Sequence, residues 1–586
     1  MSLAFNIGVA PFSGHRVGCL SPNFPDKGLR INIAKKSCVT VKSSLTTTDL
    51  LGELKKKLKR EDDDSRAAAT VIPPSDIPSS LCIIDTLERL GVDRHFQSEI
   101  DTILENAYRL WQTKHKVIYS NVTTHAMAFR LLRVKGFEVS SEELAPYADQ
   151  EHVSRQTTDV AMVIELYRAA YERMYEDESG LEKILAWTTT FLKHQIQSNS
   201  IPNKKLHKLV EFYLKNYYGI TKRIAVRRNL DLYDMSYYQA LAVSNRFSNL
   251  CNEDFLAFAR HDFNICQVQN QRDLEQLQWW YEDSRLDTLN YARETLLISY
   301  FMVSLVIDDP ELSYVRIAFG KCLALVTSLD DIFDFGGSRL ESYKIIELVK
   351  EWKEKPVREC GSEKIEILFK ALYNTVNEIE EMACVEQGRN VRGFLVKQWL
   401  EMLLAMKIEL DTWSDGVQLS FDEYISKSWM STGSRTVLLM SSLFLGVKLS
   451  DEMLASEELS DLGRYVSMVV RLLNDMATFE REHNENKGGC VSILIANAAR
   501  AGRVMTEEEA IAEIKEIAGY NIRKQMQIVY KNDTTTIFPR KVKHIFLEGC
   551  KIFYYLYSGG DEFTSPLLLM EDMKSYIFEP LPLPNQ

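Results

Sequence analysis

From Leu81 onward, apolar residues recur with a helical period. Phe96, Ile100, Ile103, Leu104, Tyr108 and Trp111 fall at i, i+4, i+7, i+8, i+12 and i+15, the signature of one amphipathic face. Comparable stripes run through 126–132, 160–175, 181–192, 206–218 and 394–412. Residues 296–307 and 436–447 are apolar all round, which predicts short helices buried in a large core. Gly91, Gly136 and Ile201-Pro202-Asn203 punctuate the pattern as loops. Alternating, strand-like runs are scarce and no internal repeat is visible, so the chain reads as all-α. Apolar stretches of about a dozen residues fall short of the roughly 20 needed to cross a bilayer, and no membrane span is expected.

The helical pattern does not begin at once. Residues 1–46 carry Arg16, Lys27, Arg30, Lys35, Lys36 and Lys42 against a single acid, Asp26, and are rich in hydroxyl side chains. That balance describes an organellar transit peptide, with a plain disordered tail as the alternative. Residues 47–80 read as a linker, with KKKLKREDDDSR followed by proline-containing coil. Two helical domains follow, 81–255 and 256–586, with a soft boundary near 250–260.

Composition narrows the chemistry. A chain of 586 residues with 45% hydrophobic and 26% charged residues is an ordinary globular composition. A formal charge of −12 argues against nucleic acid or an anionic membrane as partner. The ten cysteines form no CxxC pair and the ten histidines no HExxH, so neither a disulfide framework nor a zinc site is indicated. GxGxxG and GxxxxGK[ST] are absent too.

Two polar interruptions stand out. In LALVTSLDDIFDFGG (323–337) an apolar helix ends in Asp330, Asp331 and Asp334 before Gly336 and Gly337. With about 100° per residue, Asp330 and Asp334 share a face and Asp331 lies about a quarter-turn away. Acids at a helix C-terminus oppose the macrodipole unless a cation sits there, and carboxylates presented this way suit Mg²⁺. A charged helix end in water would give the same pattern in isolation. In RYVSMVVRLLNDMATFEREHNENKGG (464–489), Asn474, Thr478 and Glu482 fall within an arc of about 80° of Arg471. Tyr465, Met468, Val469, Leu472 and Met476 take the other face. An amide, a hydroxyl and a carboxylate are all hard oxygen donors, and the planar fork of Arg471 could hold a phosphate. Asp475 lies close to the same arc, and geometry alone does not exclude it. Two oxygen-rich clusters at the rim of an apolar bundle make a polynuclear magnesium site for a diphosphate, with room beneath for a hydrocarbon.

DDIFD (330–334) resembles the DDxxD motif of plant terpene synthases, and NDMATFERE (474–482) their second metal motif, (N/D)Dxx(S/T)xxxE. The resemblance runs from about residue 80 to the C-terminus. It implies a helical β domain ahead of a catalytic helical α domain, with Asp330 and Asp334 ligating Mg²⁺, Asp331 supporting them, and Asn474, Thr478 and Glu482 holding another ion, three in all. LCIIDTLERLGVDRHF, HAMAFRLLRVKGFEVSSEELAPY and GDEFTSP resemble kaurene synthase-like diterpene synthases of the mint family, the miltiradiene and sclareol synthase type that lacks a γ domain. No DxDD occurs; Glu61-Asp62-Asp63-Asp64 comes nearest, which speaks against protonation-initiated cyclisation. The RRx8W signature of many monoterpene synthases is also missing.

The resemblance implies a class I lyase that ionises a bicyclic labdane-type diphosphate supplied by a class II diterpene cyclase. Alternatives are an acyclic prenyl diphosphate substrate or a non-catalytic isoprenoid-binding relative; a chain-elongating prenyltransferase would show two aspartate-rich motifs. One departure concerns the family's RxR, which here reads Arg293-Glu294-Thr295. Arg293 remains a diphosphate-binding candidate beside Arg471, with Arg285 a weaker one and Asp561 a lid-loop candidate. Trp279, Trp280, Phe301, Trp399 and Phe444 are candidate cation-π walls of the pocket, though core packing suits each as well. Thr432-Gly433-Ser434 is a candidate helix break whose hydroxyls face a cation or water. Replacing Asp330 by alanine is expected to abolish diphosphate release from the substrate in a pyrophosphate-release assay; retained turnover would sink the assignment.

Overall fold

The computed structural model describes residues 72–149, 159–215, 220–234, 253–293, 295–354, 357–484, 488–532, 536–557, 560–564 and 569–583, without the side chains of 253–254, 357–358 and 482–484. The stretch read as a transit peptide, 1–46, and residues 47–71 of the linker lie outside these residues; the linker's end is not coil, since 77–80 already form the first turn of a helix. Contacts gather Thr47–Gln586 into one compact unit. Among the described residues the structure is helical, with no strand.

The N-terminal half contributes α1 (Ile77–Leu90), α2 (Gln97–Gln112), α3 (Val122–Val134), α4 (Val160–Ala170), α5 (Ser179–Gln197), α6 (Lys204–Lys215) and α7 (Lys222–Asp231). The stripe read from sequence is the buried face of α2: Ile100, Leu104 and Trp111 are in the core. At the centre lies an ion-pair network. Asp85, 1% exposed, receives Arg89 at 2.7 Å, Arg168 at 2.8 Å and Arg130, while Arg89 also reaches Glu165 at 2.8 Å. Burial works against the Asp85 charge, but Arg168, Arg89 and Arg130 outweigh it and hold the carboxyl well below its usual range.

The C-terminal half begins with α8 (Glu253–Asp283), α9 (Leu296–Val306) and α10 (Ser313–Asp331). It continues through α11 (Arg339–Glu351), α12 (Glu363–Gln387), α13 (Arg392–Ser414), α14 (Phe421–Ser428) and α15 (Ser434–Ser442). Then come α16 (Glu457–Asn484), α17 (Cys490–Arg500), α18 (Glu507–Val529), α19 (Arg540–Tyr557) and α20 (Met570–Ile577). Helix α10 is the central post, packed against α8, α9, α12 and α15. With its flanking turns it forms a 27-residue helical run, Pro310–Gly336, long and apolar enough to cross a bilayer, which corrects the dozen-residue limit read from sequence. Lys321, Thr327 and Ser328 break the apolar spelling but not the helix: both hydroxyls bond back to carbonyls four residues earlier. In this fold 78% of its apolar window is buried by neighbouring helices. Helix α15 ends at Ser442, earlier than the apolar run suggested, and the chain leaves it through a turn that takes Gly446 to φ 70°.

Helix α15 also touches α16, so the two helices carrying the polar interruptions flank one short apolar helix. The N-terminal half grips the end of the chain. Arg227 donates to the carbonyls of Ser575 and Glu579 at 2.6 Å each, and Arg228 pairs with Asp572. Arg94 pairs with Asp262 at 2.6 Å and Arg523 with Glu176 at 3.0 Å.

His125 makes the N-terminal half acid-sensitive. It is 2% exposed, bonded through Nδ1 to the Tyr147 hydroxyl at 3.0 Å and packed at a tilt against Trp111 and Tyr119. Burial pushes its pKa down to about 4. The unfolded chain binds this proton below about pH 6.5, the folded chain only near 4, so stability falls as pH drops through that window. The slope from this residue is about 1.4 kcal/mol per pH unit. Thermal unfolding midpoints measured from pH 7 to 4.5 are expected to decline less steeply in His125→Gln than in the parent chain.

Candidate active site

The aspartate cluster does not end a regular helix. After Asp331 the chain widens into a π turn, Ile332–Gly336, before the Ser338 capping box starts α11. Such turns are rare and concentrate at functional sites. The glycines permit close approach rather than a left-handed cap: Gly337 has φ −122°, and a Cβ on Gly336 would lie 2.2 Å from the Tyr291 ring. Lys364 caps the turn by donating to the Gly336 carbonyl at 2.7 Å.

Three acids therefore take three roles. Asp331 is turned into the core, 0% exposed, and is held by Arg293 through Nε at 2.6 Å and the backbone N–H at 2.7 Å. Asp330 faces outward, 44% exposed, and accepts from Arg293 Nη2 at 3.0 Å. Burial and the Asp334 charge push Asp330 up to about 7 against the pull of Arg293. Asp334 is exposed on the π turn.

On α16, Arg471 Nη2 donates to Asn474 Oδ1 at 2.5 Å and ion-pairs with Asp475. Asn474 in turn donates to the Tyr557 hydroxyl at 3.2 Å. Thr478 donates to the Asn474 carbonyl at 2.9 Å, which aims its oxygen lone pairs away from the helix. Asp475, left open by the sequence, is an inward residue: 0% exposed, it accepts from Tyr424 at 3.0 Å and from the Cys490 N–H at 2.9 Å. Glu482 is on α16, but its side chain lies outside the described residues.

The two clusters are linked through one short loop. The charge of Arg471 acts on Asp330, and both Arg293 and Arg471 act on Tyr557. The loop 560–564 bridges them. Arg481 pairs with Asp561 at 3.1 Å, Asp561 accepts from the Thr564 N–H at 3.1 Å, and the Thr564 hydroxyl accepts from Arg293 at 3.2 Å. Other sequence candidates lie elsewhere. Arg285 turns out to Glu363 at 2.6 Å. Trp279 is 68% exposed, which removes it from any pocket wall. Trp280 donates to Thr375, Phe301 packs on Tyr576, Phe444 packs on Tyr314, and Trp399 is wholly buried. The break at Thr432-Gly433-Ser434 is present, with Gly433 at φ 71° and a Cβ position 2.4 Å from Val326 of α10. Its hydroxyls join a chain from Thr432 through Ser434 to Ser467 of α16, each link 2.9 Å.

Sequence reasoning missed Glu409. Its carboxylate accepts from Ser431 at 2.7 Å and lies 3.9 Å from Arg471. Burial pushes it up to about 8, against Arg471 and Ser431, with Asp475 and Asp334 adding to the rise. A signal existed. Leu395, Trp399, Met402 and Met406 are buried at alternating steps of four and three, and the next step is Glu409.

Among the described residues, no three Asp, Glu, His or Cys side chains gather closely enough to hold a metal by themselves. The donors on offer are two carboxylates, an amide oxygen and a hydroxyl, all hard, and Asp334 sits one turn from Asp330 with its carboxylate exposed. The residues present fit a hard divalent cation.

The profile of the terpene synthase family's metal binding domain matches residues 282–524, and that of the terpene synthase N-terminal domain matches 31–214. The chain is 60% identical, over 99% of its length and 98% of the other, to the chloroplastic miltiradiene synthase of Salvia miltiorrhiza. It is 61% identical, over 99% and 100% respectively, to the chloroplastic sclareol synthase of Salvia sclarea. Among solved structures, isoprene synthase from grey poplar (Populus x canescens), in complex with three Mg²⁺ ions and dimethylallyl-S-thiolodiphosphate, matches with a TM-score of 0.78. That match is at 24% identity and covers 92% of this chain and 98% of that one, a likeness of fold.

Gly336→Ala is expected to destabilise the protein by about 1–3 kcal/mol, because the new methyl group overlaps Tyr291. Chemical denaturation checks this, and in a Tyr291→Ala background the same change should cost much less.

Proposed function

Since the chain belongs to the terpene synthase family, we propose that it is a plastid class I diterpene synthase acting on a bicyclic labdane-type diphosphate. Copalyl diphosphate or a hydroxylated analogue would be delivered by a class II cyclase. Diphosphate leaves, and the cation cyclises, rearranges or captures water to give a labdane-related olefin, alcohol or ether. Similarity at about 60% identity over nearly the full length to miltiradiene and sclareol synthases, both named chloroplastic, supports this reading. The observation that carries it is the pair of arginine-capped oxygen clusters joined by one short loop. We take 81–255 as the β domain and 256–586 as the catalytic α domain.

Asp330 and Asp334, with Asn474, Thr478 and Glu482, would hold three Mg²⁺ ions, which when bound neutralise charge on the departing diphosphate. Arg293 and Arg471 supply charged N–H donors to its oxygens. Asp331 and Asp475 fix those guanidinium groups from behind. The apolar walls of α9, α10 and α15 keep stray water from the cation. Which proton is lost, or whether water adds, is decided by those walls.

The test is incubation of the purified chain with copalyl diphosphate, following pyrophosphate release and identifying products by mass spectrometry. Turnover that vanishes with a chelator and returns with Mg²⁺ is expected, with little from geranyl or farnesyl diphosphate. Absence of Mg²⁺-dependent release from every labdane diphosphate would overturn the proposal.

A further inference from the structure

Both clusters repeat one device. In each, a prospective ligand is followed directly by an aspartate: Asp330-Asp331 and Asn474-Asp475. A step of about 100° on a helix sends the first side chain to the open side and the second into the core. Both second aspartates are 0% exposed, and each is ion-paired with an arginine. Each arginine then rests a second N–H on the ligand itself, Arg293 on Asp330 Oδ2 at 3.0 Å and Arg471 on Asn474 Oδ1 at 2.5 Å. A buried carboxylate stripped of its partner is strongly destabilising, so the aspartate contact is the fixed end. The contact to the more accessible oxygen is the end that can be given up.

We infer that Arg293 and Arg471 are exchangeable caps: tethered by Asp331 and Asp475, each surrenders its ligand oxygen to a divalent cation and turns the released N–H groups to the diphosphate. The inference rests on the diphosphate-ionising reading above. It explains why both clusters need a carboxylate that points away from the reaction. It also makes cation and anion binding cooperative within the protein: an arginine displaced from Asp330 or Asn474 becomes a donor for the anion, and an anion that draws it off uncovers the oxygen.

The parent chain tests this by phenylglyoxal labelling with peptide mass spectrometry, using Mg²⁺ alone and then Mg²⁺ with inorganic pyrophosphate. Labelling of Arg293 and Arg471 is expected to rise severalfold with Mg²⁺ and fall again with pyrophosphate. Arg316, buried against Asp273 at 2.7 Å, should stay unchanged. Unchanged or reduced labelling with Mg²⁺ overturns the inference. A second measurement titrates Mn²⁺ alone, followed by electron paramagnetic resonance. Arg471→Ala is expected to tighten Mn²⁺ by about tenfold, the worth of one charged hydrogen bond, and the gain should disappear in an Asn474→Ala background. Equal tightening in both backgrounds would reduce the effect to net charge and also overturn the inference. If Arg471→Ala does not fold, labelling of the parent chain still decides. If the parent chain releases no pyrophosphate from labdane diphosphates, the functional reading fails; if it does and labelling is unresponsive, only the exchange fails.

Discussion

A carboxylate taken out of water must be matched by charge, and this chain meets that constraint twice over at the mouth of an apolar bundle. Asp331 and Asp475 are sealed in the core and answered by Arg293 and Arg471. Everything else at the site follows from where those two guanidinium groups are then forced to lie. Asp330 and Asn474 face outward because their neighbours face inward, and the loop at 560–564 gains a foothold because Arg293 has a donor left for Thr564. The N-terminal half answers the same constraint differently: Asp85 and Glu165 are enclosed by three arginines, of which only Arg168 is partly exposed.

The helices were legible because burying one face fixes a period, and that period survives in the spelling. Helices α2, α3, α5 and α13 were all located from apolar spacing alone. The two oxygen clusters were legible for the converse reason, as polar side chains where the period calls for apolar ones. Glu409 breaks the same rule, yet it passed unnoticed. It is a single residue beside Asp411 in a helix end that also carries Lys407, where one more charge looks like a solvated face.

Other features are set by contacts the sequence does not spell. The π turn at 332–336 depends on Tyr291 lying against Gly336 from an earlier loop, so local propensity pointed only to an ordinary helix stop. Asp475 shares its arc with Asn474 on a helical wheel; only Tyr424 and the Cys490 N–H, brought in from α14 and α17, reveal which way it points. Trp279 and Trp280 are adjacent and chemically identical, and the fold exposes one while burying the other. Length of apolar spelling misled as well, since back-bonded hydroxyls let α10 run on through Thr327 and Ser328.

The grip of Arg227 on the carbonyls of Ser575 and Glu579 reaches further than its distance suggests. The segment it holds follows shortly after the loop that ties Arg481 to Arg293, so the N-terminal helices moor the strap that crosses the site. Gln267 of α8 donates to the same two carbonyls at 2.9 and 3.0 Å, so without residues 72–234 the segment would rest on the C-terminal half's own hold alone. The two halves of the molecule thus share one fastening on the chain's last few turns.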